Sequence, residues 1–141
     1  MKTLKSIMIG MALLLVSVAT NAASTTHHNT TKDEVMDTYL NAVVHGKLEG
    51  IDNAIDDDAE FNMIRGNNVN TLHKQQILNT LKAGENIEQD CKCTKSIVQD
   101  NDDASTLKVE MKYADFTRID LITAQRVAGG WKITKVDTSF K

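Results

Sequence analysis

The chain has 141 residues with a formal net charge of −3, no proline and two cysteines. Lys and Arg never cluster beyond two neighbours, so no concentrated basic face for binding nucleic-acid phosphates is expected. Two cysteines provide no disulfide framework, and there is no internal repeat or second domain.

The first residues read as a secretory signal. Lys2 and Lys5 form a charged start, Ile7–Ala19 an apolar stretch of 13 residues, and Ala22, Ala23 and Ser24 a run of small residues suited to cleavage. The apolar stretch is too short to span a bilayer stably, and no cysteine marks a lipoprotein site. Residues 1–23 are therefore expected to be a signal peptide, 24–30 a polar linker and 31–141 one folded domain. The mature protein should be secreted or periplasmic, soluble, without a membrane span, and carry a net charge of about −5. Exposed at position three by cleavage after Ser24, His27 would suit copper(II), but no metal or cofactor is assigned.

Thr31-Lys32-Asp33-Glu34 is a capping box that opens a helix. Val35, Met36, Tyr39, Leu40, Val43 and Val44 form its apolar stripe, and Gly46 ends it. A shorter helix carries Leu48, Ile51, Ala54 and Ile55 and stops at Asp56-Asp57-Asp58. A strand over 59–65 turns at Gly66-Asn67-Asn68 into a short return strand, 69–72. A third helix, capped by Thr71, presents Ile77, Leu78 and Leu81 and ends at Gly84. A strand of residues 90–99 turns at 100–103. The aspartate runs lack the Gly and Glu of a calcium loop and read as solvated turns.

Leu107, Val109, Met111 and Tyr113 alternate with Thr106, Lys108, Glu110 and Lys112, the period of a strand with one buried face. Strands 116–127 and 131–140 follow, joined by the glycine turn Ala128-Gly129-Gly130. Trp131 and Ile133 share one face while Val136 and Phe140 take the other, which predicts a bulge near Thr134-Lys135. The expected class is α+β: three helices packed in the concavity of a cone-shaped, curved, mostly antiparallel sheet.

The helix Val35–Gly46, the stretch from Tyr39-Leu40 to Asp58-Ala59, and the segment from Asp120 through the glycine turn to Trp131-Lys132-Ile133 resemble the nuclear transport factor 2-like superfamily. The similarity is to its bacterial "putative lumazine-binding" (SnoaL-like) branch, and it runs from about Thr31 to Phe140. It implies a pocket between curved sheet and helices and, often, a dimer, without implying lumazine as the ligand. Enzymes on such a fold use pocket Asp, His or Tyr, and fold alone does not select among functions.

The candidate ligand-binding residues are Tyr39, Arg118, Asp120 and Trp131. Arg118 and Asp120 either face the pocket together, where the carboxylate could act as base or bind a polar ligand, or pair on the outer sheet face. Tyr39 and Trp131 would supply an aromatic floor, with core packing the other role for Trp131. His73 is a weaker acid/base candidate or an exposed helix cap, and His45 a structural residue at a helix end. Cys91 and Cys93 are either a redox pair or half a metal site, or two small residues on a strand, since an i,i+2 disulfide is strained. The expected function is small-molecule binding or an accessory role without catalysis, the partner being a small apolar or aromatic ligand. The alternatives are an isomerase- or dehydratase-type enzyme with Asp120 as base, and a homodimeric interaction module using an outer sheet face near Arg118 or Lys108.

Overall fold

The computed structural model describes residues 30–141. The expected signal peptide, the linker up to 29 and the His27-His28 pair lie outside the described residues. Helix α1 (Lys32–His45) is followed by the single turn α2 (Ile51–Ala54), strands β1 (Ile55–Arg65) and β2 (Asn68–His73), and helix α3 (Lys74–Ala83). Four strands complete the chain: β3 (Lys92–Asp100), β4 (Ala104–Lys112), β5 (Thr117–Val127) and β6 (Gly130–Phe140). They form one six-stranded sheet in the order β2-β1-β6-β5-β4-β3, antiparallel throughout except where β1 runs parallel to β6. The class is α+β, as expected: a curved, unclosed sheet with helices against one face. Among the described residues no helix is long and apolar enough to cross a membrane.

Local chemistry explains the first helix. The Thr31 side chain accepts from the Glu34 N–H at 3.2 Å, and Glu34 accepts from the Thr31 N–H at 2.8 Å, which closes the capping box. Gly46 ends α1 in the left-handed region, at φ 63°. Replacing Thr31 by Ala leaves those amides to water and is expected to lower stability by about 1 kcal/mol in a urea titration, with no change in m.

Cross-strand registers define the inner face. Phe61 sits opposite Val136, Val136 opposite Ile122, and Ile122 opposite Leu107. Val35, Met36, Tyr39 and Leu40 of α1 close over this row, and Ile77 of α3 joins the same buried cluster. The register jumps from Thr123↔Lys135 to Ala124↔Ile133, which leaves Thr134 as the expected bulge.

Three boundaries differ from expectation. The run Asp56-Asp57-Asp58 belongs to β1 rather than to a turn. The pairing with β6 slips between Ile55 and Glu60, so the acidic residues bulge outward, where Lys74 meets Asp57 at 2.8 Å and Asp52 at 3.2 Å. Thr71 lies in β2, opposite Asn62, and His73 is the cap of α3, its N–H donating to Gln76 Oε1 at 2.9 Å. Strand β3 begins at Lys92, two residues late, because the backbone at Gln89–Cys91 is curled by a Cys91 N–H to Gln89 carbonyl bond of 3.1 Å.

Candidate functional site

Asp120 lies midway along β5 on the inner face, directly beneath α1, and is fully buried. A lone carboxylate there would lose several kcal/mol of hydration, so its partners decide whether it is tolerated. Arg118 grips it bidentately, Nε to Oδ1 and Nη2 to Oδ2, both at 2.9 Å. Thr138, its cross-strand neighbour on β6, donates to Oδ1 at 2.8 Å. Tyr39 reaches down from α1, and its hydroxyl donates to Oδ2 at 3.5 Å. Burial, and then the adjacent negative charge of Asp120, hold the Tyr39 phenol far above the ordinary tyrosine range, so it remains a donor. Burial opposes the Arg118 cation, but the Tyr39 and Asp120 oxygens facing it outweigh that and hold its pKa above the usual guanidinium value.

The structure thus joins three of the four candidate ligand residues, Tyr39, Arg118 and Asp120, and adds Thr138, which sequence reasoning missed. It places the Arg118–Asp120 pair inside, under α1, rather than on the outer face. Four donors meet a carboxylate that has about four lone-pair positions, so no acceptor is left for a substrate proton. The arrangement is suited to holding α1, β5 and β6 together. Arg118 also faces the Tyr39 hydroxyl, and 22% of its side chain is exposed.

Trp131 is elsewhere. It starts β6 opposite Arg126, six residues along β5 from Asp120, a separation of about 20 Å on an extended strand. Tyr39 and Trp131 therefore form no common aromatic floor; the Tyr39 ring instead packs 6.0 Å from that of Phe61. Trp131 lies largely in the core, with Arg126 and Lys32 at 5.6 and 5.8 Å from its ring centre. It also lines a cavity of about 490 Å³ whose other walls are mostly polar, including Asp33, Asn101 and Asp102. His73 is exposed and engaged in its cap, and His45 pairs with Glu88.

A second cavity, of about 460 Å³, lies at the far end of the sheet between Ile64, Arg65, Gly66, Phe116 and Phe140. Phe116 and Phe140 are 43% and 37% exposed, although burial of such rings is favourable. Tyr113 stacks on Phe116 at 4.5 Å, Phe116 tilts against Phe140 at 6.2 Å, and the Arg65 guanidinium sits 5.1 Å from the Phe140 ring centre. The turn is held by a Tyr113 N–H to Phe116 carbonyl bond of 2.9 Å, and the end of β6 by paired bonds between Thr117 and Lys141. Phe140 is the cross-strand partner of Arg118. The only hint of this site in the sequence is a pair of phenylalanines at strand ends, 24 residues apart.

A curved, helix-backed sheet of this order defines a nuclear transport factor 2-like domain. The family described as "putative lumazine-binding" matches residues 27–137, and the chain belongs to it. Among solved structures, a nuclear transport factor 2-like protein of unknown function from Silicibacter pomeroyi is 18% identical, with a TM-score of 0.62 over 76% of this chain and 90% of its own. One of the same description from Shewanella baltica is 13% identical, with a TM-score of 0.60 over 77% and 90%. A cystatin-like fold protein from Burkholderia xenovorans is 17% identical, with a TM-score of 0.60 over 77% and 87%. No curated protein matches the chain significantly.

Proposed function

We propose that the protein is a secreted or periplasmic small-molecule-binding or accessory domain without catalysis, and that it takes a planar apolar or aromatic ring between Phe116 and Phe140. The observation that supports this reading is the aromatic cavity of about 460 Å³, open at two large rings and edged by a guanidinium. Ligand sites are commonly concave and apolar, with a few polar groups that orient the guest. Here Arg65 supplies a cation beside the ring site, and the chain's family description names a planar heterocycle. The enzyme alternative loses its base, because the lone pairs of Asp120 are already occupied by Arg118, Thr138 and Tyr39.

Lumazine, used as a probe in isothermal titration, is expected to bind saturably. Phe140→Ala should weaken that binding about two- to tenfold, since an aromatic contact contributes about 0.5–1.5 kcal/mol. Trp131 emission should hardly respond, because Trp131 and Phe140 stand at opposite ends of β6, about 30 Å apart on an extended strand. Equal affinity in Phe140→Ala, or a strong quench of Trp131, would remove the site from this end of the sheet.

A homodimer is a second reading, favoured by β3. All nine of its residues are exposed, Ile97 and Val98 included, and its outer edge has no strand beside it among the described residues. Arg118 does not serve that reading, since its side chain turns inward to Asp120. Sedimentation equilibrium decides it by the mass of the particle.

A further inference from the structure

Cys91 and Cys93 are both free, and their sulfurs lie 3.8 Å apart, in van der Waals contact. On a fully extended chain, residues i and i+2 are separated by about 6.6 Å at Cα, close to the upper limit that a disulfide spans. Cys91, however, precedes the first ladder pair of β3, Lys92↔Lys112, so no strand pairing holds its backbone extended. Just ahead of it the chain is curled by the Cys91 N–H to Gln89 carbonyl bond. Closing the sulfurs to bonding distance thus takes a movement of about 1.8 Å in a segment outside the sheet. Cys93 is exposed and Cys91 half-buried, so a small reagent has access. Among the described residues no group of three or more His, Cys, Asp or Glu could hold a metal ion, which leaves the pair short of a metal site.

We propose that Cys91 and Cys93 form a thiol–disulfide exchange site that takes small organic disulfides as oxidant and closes reversibly to an intramolecular disulfide. The thiolate of one cysteine attacks a sulfur of the small disulfide, forms a mixed disulfide and expels one small thiolate. The second cysteine, having lost its proton to solvent, attacks the protein sulfur of that mixed disulfide and expels the other. The dithiol loses two electrons and two protons, and the oxidant gains both as two thiols. Burial and the adjacent Cys91 sulfur hold the Cys93 thiol above its ordinary pKa, with Lys95 pulling the other way. Exchange should therefore quicken as pH rises through and beyond the usual thiol range.

The neighbours give closure a consequence. Tyr113, which stacks on Phe116 at the aromatic cavity, donates its hydroxyl to Gln89 at 3.1 Å, on the curl that closure would pull. The exchange site stands on the sulfur geometry and does not require the ligand reading.

The test uses the reduced protein and oxidised glutathione at mildly alkaline pH, with acid quench, trapping by N-ethylmaleimide in denaturant, and intact mass. The wild type is expected to lose two hydrogens, carry no glutathione and accept no maleimide, and dithiothreitol should restore two maleimide sites. Cys91→Ser and Cys93→Ser should each stop at one bound glutathione. A wild type that retains glutathione, links two chains, or keeps both thiols while either single variant is glutathionylated would overturn the proposal. So would thiols that stay unreacted in every form, two in the wild type and one in each variant.

Discussion

Asp120→Asn is expected to destabilise the fold by about 3–5 kcal/mol, measured as a fall in the urea midpoint at constant m. The substitution keeps the shape but turns one oxygen into an NH2 group, so donors face donors. It also leaves the Arg118 cation beneath α1 without a counter-charge. A domain of this size has roughly 5–15 kcal/mol in total, so much of the margin would go. A carboxylate serving a ligand in an open pocket would lose binding and spare the fold on the same change; the burial of Asp120 gives the opposite outcome. The companion double change, Asp120→Leu with Arg118→Met, should recover a large part of the loss, because apolar residues of similar volume often replace a buried ion pair at little cost. A loss below about 1 kcal/mol for Asp120→Asn would show that solvent screens the pair.

Gly46→Ala should cost about 2–5 kcal/mol, combining roughly 1–2 for a left-handed backbone with 1–3 for overpacking. Gly46 has φ 63°, and an added Cβ would stand 2.5 Å from the Gly84 carbonyl oxygen, 2.6 Å from the Asn86 nitrogen and 2.7 Å from that of Ile87. Its own carbonyl accepts from the Asn86 N–H at 2.9 Å, so α1 and the chain after α3 are joined backbone to backbone. Gly66 is the control. Its φ is 59°, but nothing lies within 4 Å of the added carbon, so Gly66→Ala should show the backbone cost alone. Equal losses at the two positions would refute the close-approach argument.

The features legible from the residues were those encoded locally. The capping box at Thr31, the glycine at the end of α1, the alternation of β4 and the bulge at Thr134 each depend on residues within a few positions of one another. The family likeness supplied the concavity. The start of β1 was not legible, because Ile55 and Glu60, on either side of the acidic run, are held by a partner strand some 75 residues later in the chain. Nor was the face of Asp120. Both faces of β5 are apolar, Ile119 on one and Ile122 with Ala124 on the other, so a period of two says nothing about which side α1 covers. The aromatic cavity draws on β1, the β4–β5 turn and the last residues of β6, and no local pattern unites them.

Strand β6 comes last in strand order, yet it occupies the middle of the sheet, with β1 on one side and β5 on the other. Without it, β1 with β2 and β5 with β4 and β3 are two separate half-sheets with no strand to bridge them. Removing Gly130–Phe140 would therefore leave two fragments with exposed edges rather than a shortened domain. The long-range pairing also makes folding slow, since the loop between β1 and β6 must close before any bond rewards it. The closure of β6 between its two neighbours is thus the step that turns two pairings into one sheet, so the domain has no stable half.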